Sequence, residues 1–183
     1  MHRMQPLPLH AHPATPCAAL SRLDVTVAFT PGRSLELDYA LHGDLAALRV
    51  PPPAAALRTD GLWQHTCCEI FLREPGSARY YEWNLAPSGA WAFYAFDGYR
   101  ASLPAVVVPL PPAIYWHYTT HEAHLRARLT LEGLPLAAAT GLQAAISAVI
   151  ETAAASPAIA YWALKHPPGK PDFHHSDNFV LTL

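Results

Sequence analysis

Apolar and polar residues alternate along most of this chain, and period-2 alternation is the signature of half-buried β-strands. Leu23, Val25, Val27 and Phe29 alternate with polar or small residues, and Leu35, Leu37, Tyr39 and Leu41 do so again after Pro31-Gly32. These two runs predict a hairpin. Cys67 to Arg73 and Tyr80 to Ala86 predict two more strands around a Pro75-Gly76 turn. In the second, Tyr81, Trp83 and Leu85 share one face, and Tyr80, Glu82 and Asn84 share the other. Trp91 to Phe96, Ala105 to Val108, Ile114 to Thr119 and the alternating run from Ala123 to Leu131 continue the pattern. Gln143 to Glu151, Ile159 to Leu164 and Asn178 to Leu183 complete it. Nineteen prolines in 183 residues exclude long helices. One or two short helical segments are expected, near Leu134 to Leu142 or Pro53 to Leu57. About ten short strands with turn signals between them predict an all-β, antiparallel β-sandwich or barrel. Residues 1–19 are expected to form a flexible N-terminal arm, and residues 20–183 a single domain.

Composition narrows the partners. Charged residues make up only 14% of the chain, against a usual ~25%, and the formal net charge is −2. That balance gives phosphates nothing to bind, so nucleic acid is not an expected partner. No segment approaches the ~20 apolar residues of a membrane span. The first twenty residues lack the apolar run of a secretory signal. Cys17, Cys67 and Cys68 form neither a disulfide framework nor a zinc-ligand spacing, and reduced thiols fit a cytoplasmic setting.

Motifs for catalysis are weak. There is no Gly-x-Ser-x-Gly elbow, phosphate loop or Gly-x-Gly-x-x-Gly. His121 and His124 are three residues apart on an expected strand, which sends them to opposite faces. Glu69 and Glu82 can be paired as glycosidase carboxylates; the preferred reading makes one a solvent-facing strand residue and the other a hydrogen-bonded pocket group. Trp63 follows Asp60-Gly61 in a turn-rich stretch. There it serves either as a stacking platform for a sugar or other flat ligand, or as a plug at one end of the domain. The loop from Lys165 to Asp177 gathers Lys165, His166, Lys170, Asp172, His174 and His175, as binding loops on rigid scaffolds do.

The stretch from Asp60 through Trp63, Glu69 and Phe71 to Leu72, followed by Tyr81-Glu82-Trp83-Asn84-Leu85-Ala86-Pro87-Ser88-Gly89, resembles the DOMON-like superfamily. That group includes family 9 carbohydrate-binding modules and the cytochrome domains of some dehydrogenases. Pro171-Asp172-Phe173-His174 followed by Asn178-Phe179 fits the same pattern, so the resemblance spans roughly residues 20–183. It implies an immunoglobulin-like antiparallel β-sandwich of about ten strands with a ligand site on its edge or concave face. In the carbohydrate-binding branch a Trp followed six positions later by Glu supplies stacking and a hydroxyl acceptor, as Trp63 and Glu69 are spaced here. A second, late Trp closes the site, and Trp162 takes that place. Haem-binding branches use Met with His or Lys. The only methionines here are Met1 and Met4, so haem would need a pair such as His65 with His174.

The expectation is therefore a non-catalytic binding module for a small polar ligand, a saccharide first, with no cofactor or metal assigned. Its expected ligand-binding residues are Trp63, His65, Glu69, Trp162, Lys165, His166, His174 and His175. A haem- or metal-binding electron-transfer domain and a protein-interaction module are the alternatives.

Overall fold

Alternation builds strands here because one face of each must be buried. The computed structural model describes every residue except 1, 32–33, 105–106, 109 and 154–157. The strands among the described residues are β1 (His2–Arg3), β2 (Leu7–Ala11), β3 (Leu20–Thr30), β4 (Ser34–Gly43), β5 (Cys67–Arg73) and β6 (Tyr80–Leu85). They continue with β7 (Trp91–Phe96), β8 (Ala113–Tyr118), β9 (Glu122–Thr130), β10 (Gln143–Glu151), β11 (Ile159–Ala163) and β12 (Leu181–Thr182). The described helical segments are short 3-10 turns at Leu45–Ala47, Leu62–Gln64, Pro135–Ala138 and Ser176–Asn178. The expected turn near Leu134 is present, whereas Pro53 to Leu57 is irregular. The expected strand from Ala105 to Val108 lies partly outside the described residues, and Val107 and Val108 are not in a strand. No helix among the described residues is long and apolar enough to cross a membrane.

The strands form one curled antiparallel sheet in the order β7-β6-β5-β10-β11-β2-β3-β4-β9-β8, with β1 added to β3 and β12 to β10. The joint is β2. Its Leu7 and Leu9 pair with Val25 and Leu23 of β3, while His10 and Ala11 pair with Ala163 and Trp162 of β11. Residues 1–19, expected as a flexible arm, therefore carry the strand that links the two halves of the sheet. Gly43 is the tight point beside that joint. Its φ is +152°, and a Cβ there would run into the carbonyl oxygen of Ala19, so only glycine fits.

Folding over at β2 brings the two halves face to face. Val25, Val27, Leu37, Tyr39, Leu125 and Leu129 from one half share a core with Ile70, Leu72, Trp83, Leu85, Phe93 and Ile146 from the other. Burying each such side chain contributes about 1.5–3 kcal/mol. The Tyr39 hydroxyl donates to the carbonyl of Glu69 across this core at 2.8 Å. Cys68 lies in the core, and its neighbour Cys67 lies on the opposite face, where its thiol is 3.6 Å from Asn84 Oδ1. Both are free thiols, and burial, followed by the charge of Glu69, pushes both thiols up.

The outer faces of the two halves differ. On one half, β4 and β9 turn several charged residues outward: Asp38 accepts from His124 at 2.7 Å and from Arg126 at 3.1 Å. On the other half every residue of β6 is buried. A strand buried on both faces needs cover on both. The cover is the C-terminal segment, whose Phe173 and Phe179 pack on Phe71, Tyr80, Phe96 and Val149.

Candidate functional site

Between this C-terminal cover and the sheet lies a cavity of about 580 Å³. Its floor is the outer face of β5, β6, β7, β10 and β11. Cross-strand register decides which side chains reach it. Glu69 faces Asn84 on one neighbour and Ser147 on the other. Glu82 faces Phe71 and Tyr94. Glu69 and Glu82 are thus diagonal neighbours on adjacent strands, within reach of each other's field.

Both carboxyls are buried, Glu69 at 2% exposure and Glu82 at 5%. Glu69 accepts one hydrogen bond, from the Ser147 hydroxyl at 3.3 Å, and Glu82 accepts one from the Asn84 amide at 2.7 Å. Burial removes water from a charge that each single neutral donor only partly replaces. Burial, and then the charge of Glu82, raises Glu69 well above the usual carboxylate range. Burial raises Glu82 to about 7 against the opposing pull of the Asn84 bond and the Arg100 charge.

The rim is assembled around Asp172. Its carboxylate accepts from Arg100 Nη2 at 2.9 Å, from the Tyr99 hydroxyl at 2.9 Å and from the His174 backbone N–H at 3.1 Å. Burial alone would raise Asp172, but these donors outweigh it and hold the carboxyl below its ordinary value. Arg100 adopts φ +54°, a left-handed conformation costly for a side chain with a Cβ and typical of residues held for a purpose. The Arg100 N–H donates to the Tyr80 hydroxyl at 3.0 Å, and that hydroxyl lies 2.9 Å from His174 Nδ1. The Tyr80 proton needs an acceptor, and Nδ1 is the one in reach. His174 therefore carries its proton on Nε2, which is 3.8 Å from Glu82 Oε2. Burial and then the Arg100 charge lower His174 to about 4, so the ring is neutral near pH 7.

Aromatic groups form the walls. Trp63 stands on the 3-10 turn Leu62–Gln64, which Gly61 opens with φ +80°. Its ring meets Tyr94 edge-on at 5.9 Å, and the Tyr94 hydroxyl donates to Asp60 at 2.7 Å. Trp63 remains 44% exposed, which leaves ring surface free. Phe96, Tyr161 and Phe173 complete the apolar lining. The arrangement presents aromatic surface at the sides and carboxyl, guanidinium and imidazole groups at the base and rim.

The fold is shared with solved structures. A candidate carbohydrate-binding protein from Bacteroides uniformis matches with a TM-score of 0.63 at 17% identity, over 97% of this chain and 84% of that one. A family 9 carbohydrate-binding module from Caldicellulosiruptor kristjanssonii, in complex with cellotriose, matches with a TM-score of 0.54 at 10% identity, over 89% of this chain and 75% of that one. Its complex with glucose matches with a TM-score of 0.50 at 12% identity, over 88% and 76%. At these identities the likeness is one of fold. No protein-family description matches the chain, and no curated protein matches it in sequence.

Of the residues expected from sequence, Trp63, Glu69 and His174 meet at this cavity. Trp162 does not. It pairs with Ala148, whose side chain belongs to the core between the sheet halves, whereas its neighbour Tyr161 pairs with Val149 and faces the cavity. Trp162 is 6% exposed in that core, and its indole N–H has no partner among the described residues. His65 is on the surface, 2.8 Å from Glu151 Oε2. His166 Nε2 is 2.8 Å from the carbonyl of His10, its ring edge-on to His12. His175 Nδ1 accepts from the Asp177 N–H and caps the turn at Ser176–Asn178. Lys165 is exposed and does not line the cavity. A His65–His174 haem pair has no geometric basis, because the two rings do not share a cavity. Neither carboxylate of the Glu69–Glu82 pair is solvent-facing, contrary to the preferred sequence reading. Tyr94, Arg100 and Tyr161 were not expected. For Tyr94 the available signal was strand parity, and for Tyr161 and Arg100 there was none.

Proposed function

We propose that this chain is a non-catalytic binding module for a small saccharide, with an immunoglobulin-like β-sandwich fold of the DOMON-like kind that includes family 9 carbohydrate-binding modules. The observation that carries the proposal is the cavity itself: 580 Å³, aromatic at its sides and carboxyl-bearing at its floor. A sugar ring has one set of C–H faces and an equator of hydroxyls. Trp63, Tyr94 and Tyr161 offer surface to the former. Glu69, Glu82 and His174 offer both acceptors and donors to the latter. The bound glucose and cellotriose named for the modules of similar fold agree with that chemistry.

Binding is preferred over hydrolysis because the solved structures of similar fold are carbohydrate-binding modules, and each carboxyl here is anchored by a hydrogen bond within the sheet. Calorimetric titration with cellotriose tests the reading. The native protein should bind, and Trp63→Ala should weaken binding by roughly tenfold or more, the effect of losing an aromatic stacking contact of ~1–3 kcal/mol. No heat with glucose, cellotriose or any other β-1,4-linked trisaccharide, amino sugars included, would refute saccharide binding. Release of glucose from cellotriose on incubation would refute the non-catalytic part.

A further inference from the structure

We infer that the preferred ligand carries a protonated amine seated over Glu69 and Glu82, which makes it an amino sugar rather than a neutral glucan. The inference rests on the saccharide reading of this cavity. It starts from an imbalance. Glu69 is 2% exposed, lines the cavity, and has a single hydrogen-bond partner among the described residues, the neutral Ser147. Glu82 has Asn84 and, at 3.8 Å, a His174 ring that is neutral. Two buried carboxyls on one floor thus share no Lys or Arg ion pair among the described residues. Arg100 is committed to Asp172 at 2.9 Å. A hydroxyl of a neutral sugar gives one donor per site. An ammonium gives three donors and a full charge, which matches two acceptors at once.

The walls point the same way. Trp63, Tyr94 and Tyr161 line the cavity, and aromatic faces attract a cation held among them. Once the pair gives up its proton, the floor is an anionic surface under aromatic walls, complementary to an ammonium on a sugar ring. The groups facing the carboxyls come from the adjoining elements: Cys67 on β5, Tyr80 and Asn84 on β6, Tyr94 on β7, Ser147 on β10, Tyr161 on β11, Arg100 beyond β7, and Lys170 and His174 in the C-terminal cover. Of these, Arg100 and Lys170 are the cations that an incoming amine must tolerate; Arg100 is paired with Asp172, and Lys170 is exposed.

Without ligand, the pair relieves its own repulsion by keeping a proton, as two close carboxyls do. Seating the ammonium expels that proton to solvent. Binding of an amino sugar is therefore accompanied by proton release, and binding of a neutral sugar is not.

Three β-1,4-linked trimers that differ only at C2 provide the test: cellotriose with a hydroxyl, the glucosamine trimer with an ammonium, and the N-acetylglucosamine trimer with an acetamide. Titration calorimetry at pH 6 should show the glucosamine trimer binding about tenfold or more tighter than cellotriose, with the acetamide trimer gaining nothing. In Glu69→Gln and Glu82→Gln the ratio of the first two affinities should fall toward one. If either variant fails to fold, proton counting on the native protein decides instead. Titration in two buffers of different ionisation enthalpy should show proton release with the glucosamine trimer and none with cellotriose. Equal affinity of the native protein for cellotriose and the glucosamine trimer overturns the inference and leaves saccharide binding intact. A preference that survives in both Gln variants overturns it too, because the amine would then be read elsewhere. Failure of all three trimers to bind removes both the inference and the reading beneath it.

Discussion

Replacing Glu82 with Gln should change the pH dependence of folding in a defined window. The carboxyl is 5% exposed, and burial raises it from an ordinary 4.5 to about 7 when folded. The folded state thus holds the proton more tightly than the unfolded chain. Such a group contributes stability that is complete below the unfolded value and is lost as pH rises through the folded one. The window runs from pH 4.5 to about 7, and at ~1.36 kcal/mol per pH unit the loss is about 3 kcal/mol. His174 has the opposite sign. Burial lowers it from 6.5 to about 4, so its stability is present above 6.5 and is lost as pH falls through 4, again by about 3 kcal/mol. In the native protein the two slopes oppose each other, and a single stability curve conceals both. Differences between variants separate them. Relative to native, Glu82→Gln should gain about 3 kcal/mol as pH rises from 4.5 to above 7. His174→Gln should lose a similar amount between pH 4 and 6.5. Urea unfolding followed by tryptophan fluorescence at half-unit steps from pH 4 to 8 measures both differences. A Glu82→Gln curve that parallels the native one throughout would show that Glu82 titrates alike in both states, and the account of the cavity floor would fail.

Three substitutions probe the frame. Trp162→Ala should destabilise by about 3–5 kcal/mol, as expected for a large aromatic lost from a core, whereas Trp63→Ala should cost under about 1 kcal/mol because that ring is 44% exposed; thermal melts of the two variants compare them directly, and equal losses would contradict their placement on opposite sides of the sheet. Tyr39→Phe removes the hydroxyl that bridges the two halves of the sheet at 2.8 Å and should cost about 0.5–1.5 kcal/mol in urea unfolding, with an unchanged midpoint counting against that bond.

How far the sequence reaches can be judged from particular strands. On β9, Ala123, Leu125, Ala127 and Leu129 are buried while Arg126 and Arg128 are exposed, so strict alternation reveals both the strand and its inward face. β6 marks the limit of alternation. Tyr81 and Trp83 mark one apolar face, yet Tyr80 on the other face is aromatic as well, and the whole strand is buried. The pattern is not decisive by itself, because β8 also carries aromatics on both faces, Tyr115 and Trp116, and is largely exposed. What distinguishes β6 is the C-terminal cover packed on it, which a local pattern does not reveal.

Other features could not be read this way, because they depend on pairing between distant segments. Ile159-Ala160-Tyr161-Trp162-Ala163 is apolar at every position, so its own pattern cannot say whether Tyr161 or Trp162 faces the cavity. A shift of one residue exchanges the two faces. The register with Ala148 and Val149 settles it, and that register follows from β10 being shared with β5. The same holds for the C-terminal loop. Its seven titratable side chains look alike in sequence, but Asp172 collects Arg100, Tyr99 and the His174 backbone, and that junction sends His174 inward. Lys165, His166 and His175 lie beyond its reach on the surface or on local turns. Arg100 could not be anticipated, since its importance lies in a left-handed backbone and a partner seventy-two residues away. Strand faces are encoded locally and are legible. The assembly of a site from strands and a cover segment is encoded in long-range register, which no local pattern displays.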